Sequence, residues 1–124
     1  MRLNLLQIPL AVCRLPSNAA VPSWVSGPVQ SVSKTPDELS IVTAAGSVPS
    51  DVQIQGPFKA FQVEGPIDFS SIGVLVALLT PLSAANISVF ALSTYDTDYV
   101  LVKEGDVPSA IKALKTSGHE VSQL

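Results

Sequence analysis

The sequence predicts an α+β protein, and three observations carry that reading. From Phe58 onward the hydrophobic period switches between strand-like and helix-like in the order β-α-β-β-α-β, which is the split βαβ, or ferredoxin-like, arrangement. Residues before Phe58 are strand-rich and punctuated by proline and glycine, with no sustained helical period. With 47% hydrophobic and 14% charged residues, the chain is a packed globule rather than a natively unfolded one. Its 124 residues can bury a core divided between one or two small subdomains. The expected organisation is two ferredoxin-like units, a compressed one over residues 1–55 and a complete one over residues 56–124.

In the first half, Leu3 to Ile8 is strand-like, and Pro9 and Pro16 punctuate the chain after it. Pro22, Ser23 and Trp24 allow one helical turn at most. Val29 to Lys34 and Leu39 to Thr43 both alternate apolar and polar residues, and Thr35-Pro36-Asp37 between them makes the pair a candidate hairpin. Gly46 to Pro57 carries Gly46, Pro49, Gly56 and Pro57, and is the expected boundary.

The second half opens with a strand pattern from Phe58 to Glu64. A helical pattern runs from Ser71 to Ala85, capped by Asp68, Ser70 or Ser71, with an apolar stripe of Ile72, Leu75, Leu78, Leu79 and Leu82. Gly73 in its first turn costs about 1 kcal/mol against alanine, so it marks either close packing or the approach of a ligand. Pro81 removes one helical hydrogen bond and is expected to bend the helix or end it early. A second helix runs from Asp106 to Gly118, with Pro108 in its first turn and a buried stripe of Val107, Ala110, Ile111 and Leu114. His119 to Val121 closes the unit as a short strand.

Between the helices lies the stretch ISVFALSTYDTDYVLVKE, Ile87 to Glu104. A hairpin tip needs polar residues and an Asp or Asn, but Thr94, Tyr95, Asp96, Thr97 and Asp98 supply two carboxylates, a phenol and two hydroxyls. That surplus makes the tip a candidate binding site. A free amino acid needs donors for its carboxylate and acceptors for its ammonium group. The helix start, at Ser71, Ile72 and Gly73 with the N–H groups of Ile72, Gly73 and Val74, offers the donors. Asp96 or Asp98, with the carbonyls around Thr94, offers the acceptors. The same residues read equally as turn chemistry, in which Ser93 and Thr94 satisfy turn amides, Tyr95 covers the sheet end and the aspartates are solvated.

The segment from Gly65 to the C-terminus, with IDFSSIGVLVALLTPLSAANISVFALSTYDTDYVLVKEGDVPSAIKALKTSGHEV, resembles the ACT domains. It is similar in particular to small ACT-containing proteins related to the eukaryotic cytosolic arginine sensors, where an STY-x-TD-like hairpin faces a bound amino acid. The resemblance implies two ACT-like units, regulatory amino-acid binding without catalysis, and a cytoplasmic protein. It also implies that the ligand lies at an ACT–ACT interface. The helix start and the hairpin are expected at opposite ends of the sheet, so that they would meet only across a pair of units.

Composition narrows the alternatives. Net charge is −3 with seven scattered basic residues, so there is no stripe to follow a phosphate backbone, and nucleic acid is not an expected partner. One cysteine, Cys13, and one histidine, His119, do not make a zinc site, and Asp96 with Asp98 offers too few oxygens for a hard cation. No glycine-rich phosphate loop occurs and no cofactor is expected. His119 lacks a placed partner for nucleophilic catalysis and reads as a solvated residue. The uncharged run from Phe69 to Tyr95 is long enough to span a bilayer, but Pro81 and Asn86 interrupt it, so no membrane span is expected. Asn4, Gln7 and Pro9 likewise break the N-terminal apolar run, which reads as a strand rather than a secretory signal. So few charges leave sheet edges and faces to be covered, and a homodimer is expected. The competing reading is a protein-interaction module that dimerises without any small molecule.

Overall fold

The structure, a computed structural model, describes residues 1–123 and is an α+β fold of eight strands and two α-helices within that range. It divides into two compact units: Ile8–Phe58, and Met1–Gln7 together with Lys59–Leu124. The expected division at residues 55 and 56 lies close to the second cut, but the first seven residues belong with the C-terminal unit.

The Ile8–Phe58 unit contains β2 (Leu10–Leu15), β3 (Ser31–Lys34), β4 (Leu39–Ala44) and the first part of β5 (Gln53–Val63). β1 (Arg2–Leu5) belongs to the other unit. The order β3-β4-β2-β5, with every pair antiparallel, is that of a ferredoxin-like sheet. What is missing is the helices. Pro16, Pro22, Gly27 and Pro28 break the connection where the first would stand. In its place the irregular loop lays Ala19, Trp24 and Val25 against buried Ala11, Cys13, Leu39 and Ile41. Thr43, fully buried, holds that loop by accepting from Ser26 N at 2.9 Å and donating to Ser26 O at 3.0 Å. Burial pushes the Cys13 thiol up from its ordinary pKa, which suppresses the reactive thiolate.

β5 starts five residues earlier than its hydrophobic pattern indicates, because residues 53–55 pair with Arg14, Cys13 and Val12 of β2. Gly56, a breaker in the sequence, therefore lies inside a strand. It sits where the β2–β5 register shifts, at φ 131°, and an added Cβ would meet the Leu10 carbonyl at 3.0 Å.

In the C-terminal unit the order is β6 (Val89–Ser93), β7 (Asp98–Lys103), the end of β5, β1 and β8 (Glu120–Gln123). A ferredoxin-like unit would place its last strand beside its first. Here β1 inserts between them, antiparallel to β5 through Leu3↔Val63 and parallel to β8 through Leu3↔Val121. Residues two apart on three strands face one core: Leu3 and Leu5, Phe61 and Val63, Val100 and Val102. α1 (Val74–Ala84) adds Leu78 and Leu82, and α2 (Val107–Thr116) adds Ala110 and Leu114.

α2 matches its sequence pattern, including Pro108 in the first turn and Gly118 at φ 93° past its end. α1 does not. It begins at Val74, three residues late, so Ile72 lies outside the helix and is 97% exposed instead of joining the apolar stripe. Asp68 does not cap α1 either: its Oδ1 accepts from Ser70 N at 3.0 Å and Ser70 Oγ at 2.9 Å, closing a separate turn. Pro81 lies inside α1, which continues to Ala84. His119 is not solvated but half-buried, with Nε2 3.0 Å from the Ala77 carbonyl. No helix of the described residues is long and apolar enough to cross a membrane.

Because β1 is an interior strand, Leu3→Ala should cost about 2–5 kcal/mol despite its place near the chain start. Urea denaturation measures it; a change below about 0.5 kcal/mol, as for a surface residue, would remove β1 from the core.

Candidate functional site

The hairpin tip is built by two different sets of interactions, and a comparison within the chain separates them. In the β3–β4 hairpin, Thr35 N donates to Glu38 O at 3.0 Å, and Glu38 N donates to Thr35 Oγ1 at 3.1 Å. In the β6–β7 hairpin, Thr94 N donates to Thr97 O at 2.8 Å, and Thr97 N to Thr94 Oγ1 at 3.3 Å. The two four-residue loops have the same construction. Thr94 and Asp96 occupy the positions of Thr35 and Asp37, so turn formation accounts for both of them. It does not account for Tyr95, for the Thr97 hydroxyl or for Asp98.

Thr97 fastens the tip to the sheet. It is buried, and its Oγ1 donates to the Val63 carbonyl at 2.5 Å. Beside it Ile67 N donates to the Asp96 carbonyl at 2.8 Å. Gly65 permits this approach, since a Cβ there would stand 3.1 Å from Asp96 O and 3.3 Å from Thr97 Cβ. The tip of β6–β7 thus meets the segment leaving β5.

That contact overturns the expectation that helix start and hairpin lie at opposite ends of the sheet. The segment leaving β5 leads directly into α1, so whatever binds that segment also approaches the helix start. One cavity of about 290 Å³ in the C-terminal unit is lined from both sides, with Ser71, Gly73, Val74, Leu75 and Val76 on one and Ser93, Thr94, Tyr95, Thr97 and Asp98 on the other. Of the eight residues singled out in the sequence, Ser71, Gly73, Thr94, Tyr95, Thr97 and Asp98 line it. Ile72 and Asp96 do not.

The chemistry of the lining is uneven. Gly73 is the N-cap of α1 at φ 81°, with no side-chain cap hydrogen bond. The first-turn N–H groups of Val74, Leu75 and Val76 therefore have no intrahelical acceptor and stand at the positive end of the helix dipole. These replace the donor set of Ile72, Gly73 and Val74 expected from the sequence, because the helix starts later. Gly73 is required by its left-handed backbone and not by a close approach, since nothing lies within 4 Å of where its Cβ would be.

Asp98 opens β7, half-buried, and its Oδ1 accepts from Ser93 Oγ at 2.6 Å. Asp68 also lines the cavity, and the hydrogen bonds from Ser70 N and then Ser70 Oγ hold its carboxyl below the ordinary range. Among the described residues, no Lys, Arg or His is in the lining. Phe69, which the sequence did not single out, stands with its ring 5.8 Å from that of Tyr95. Both rings are largely exposed, at 79% and 83%, as are Ile72 and Val76. A second, broader groove of about 470 Å³ between α1 and α2 is lined by small residues and Lys112, with no carboxylate among the described residues.

This chain belongs to the ACT-domain family, whose model matches residues 53–116. Residues 9–51 match a separate N-terminal-domain family. Among curated proteins the chain is similar to the bovine and human cytosolic arginine sensor for mTORC1 subunit 1, 30% identical over 82 residues in each case. The match covers 66% of this chain but only 22% of the sensor. Among solved structures, a protein from Agobacterium tumefaciens is 32% identical with a TM-score of 0.92, covering 99% of this chain and 92% of that one. Clostridium acetobutylicum aspartate kinase, an allosteric enzyme, shares the fold alone at 13% identity and a TM-score of 0.61, over 90% of this chain and 33% of the kinase.

Thr97→Val keeps the side-chain shape and leaves the Val63 carbonyl without its donor, so it should cost about 1–3 kcal/mol in denaturation. Asp96→Ala, its exposed neighbour in the same loop, should stay within about 0.5 kcal/mol. Equal effects would mean the tip is not anchored through Thr97.

Proposed function

We propose that this chain is a regulatory, non-catalytic module that binds a free amino acid in the cavity between the start of α1 and the β6–β7 hairpin. One observation carries the reading: the residues of the uncapped first turn of α1 and Asp98 line the same cavity. The α-carboxylate takes the N–H groups of Val74, Leu75 and Val76, with the Ser71 hydroxyl beside them. The ammonium group takes Asp98, whose Oδ1 is already oriented by Ser93. With Asp68 as the other lining carboxylate and no basic residue, a cationic side chain is favoured over an acidic one. Membership of the ACT family and the similarity to proteins named as arginine sensors support an amino acid as the ligand class, and a cytosolic relative supports a cytoplasmic location.

A second copy of the chain completes the site in this reading. Among the described residues β6 pairs only with β7, and its sequence, VFALS, carries no charge or proline to block a further strand. Phe69, Val76 and Tyr95 of the cavity lining are exposed, as is Ile72. The same exposed apolar group favours a second reading, a dimerisation module with no small ligand.

A thermal-shift screen of the full chain against the twenty amino acids separates the two, since a ligand that binds only the folded state raises its apparent stability. The expected result is stabilisation by one chemical class, with basic residues foremost. Calorimetry with the best amino acid should then give a loss of about 2–5 kcal/mol for Asp98→Ala. An unchanged affinity would move the site elsewhere, and no shift with any amino acid would leave the ligand-free module. Gly73→Val is not a clean probe, because a β-branched residue at φ 81° is strained whatever binds. Sedimentation should show a species larger than 12.9 kDa at micromolar concentration; a monomer alone would contradict the dimer.

A further inference from the structure

We infer that His119 is a positioning residue of the cavity, holding the first turns of α1 through the one carbonyl that Pro81 deprives of its helical donor. Pro81 has no N–H, and its ring crowds the carbonyl four residues earlier, which is that of Ala77. A helix ordinarily kinks or opens at such a point. In α1 the point falls one residue after Val76, the last of the open N–H groups that line the cavity. A lost bond there would loosen the cavity wall itself.

His119 supplies the missing donor from 42 residues away, its Nε2 3.0 Å from Ala77 O. A carbonyl oxygen can only accept, so Nε2 carries the hydrogen in this contact. The ring is placed by its own backbone and by the Met1 amino group, which lies 3.1 Å from Nδ1. Gly118, at φ 93°, ends α2 and donates to Lys115 O at 3.0 Å, and His119 N donates to Leu114 O at 3.1 Å. His119 is not in the cavity lining, so any influence on a ligand must pass through α1.

The effect on affinity rests on the amino-acid-binding reading above; the effect on α1 does not, and the experiment keeps them apart. Four variants of the full chain are compared with wild type: His119→Leu, His119→Gln, Pro81→Ala, and Pro81→Ala with His119→Leu. Ala at position 81 returns an N–H to the Ala77 carbonyl and should make His119 dispensable. Amide hydrogen exchange at Ala77, Leu78 and Leu79 is the deciding readout, with Leu101 of β7 as the reference for global opening. His119→Leu should speed exchange at the three helical amides by up to about tenfold relative to Leu101. His119→Gln, which keeps a side-chain N–H, should recover most of the protection, and His119→Leu should have little further effect once Pro81 is Ala. Binding of L-arginine, followed by calorimetry, should weaken in parallel and return in the double variant. An equal effect of His119→Leu with and without Pro81, or no local change relative to Leu101, would overturn the role. Absence of arginine binding in the wild type would weigh against the ligand reading while leaving the exchange result to decide the positioning.

Discussion

The candidate site depends on the fastening of the β6–β7 tip to the end of β5. The Thr97 hydroxyl on the Val63 carbonyl, the Asp96 carbonyl on Ile67 N and the bare Cα of Gly65 draw two segments together that are some thirty residues apart in sequence. The segment leaving β5 becomes α1, so the same contact brings the helix start within reach of Asp98. A buried hydroxyl bonded to a buried carbonyl is favourable mainly because the alternative is two unsatisfied groups. That makes the fastening specific rather than merely adhesive.

Most of the fold is legible in the sequence because its periods are local. The order of elements after Phe58, the stripe of α2 and the Thr35–Asp37 turn all come from spacing that a sequence displays directly. The departures have a common physical cause, which is that a distant partner overrides a local signal. Gly56 and Pro57 read as a boundary, yet β2 pairs across them. Leu3 to Ile8 read as a strand of the first unit, yet Leu3 to Leu5 lie between β5 and β8 in the core of the second. Pro81 reads as a bend or an early end of the helix, yet a histidine from beyond α2 answers the carbonyl it leaves open.

The site is legible in composition and not in geometry. The excess of polar groups at Thr94 to Asp98 marks the hairpin as unusual, but two of those residues are spent on the turn, as the matching Thr35 loop makes plain. Asp96 contributes its carbonyl to the fold instead of its carboxylate to the cavity. Phe69 gives no signal in the sequence because an aromatic after an Asp in a loop has no period to read. Its meaning comes only from Tyr95 standing beside it. The helix donors lie two residues further on than the pattern suggests, because Gly73, and not Ser71, is the cap.

In the proposed reading, one cavity takes the two ends of an amino acid on α1 and on Asp98. Chemical-shift mapping of the backbone amides during titration with L-arginine tests it most directly. The largest changes should fall together at Val74 to Val76 and at Thr97 and Asp98, saturating with a single constant. Changes confined to the groove around Lys112 and Ala113, or none at all across the full set of amino acids, would contradict it.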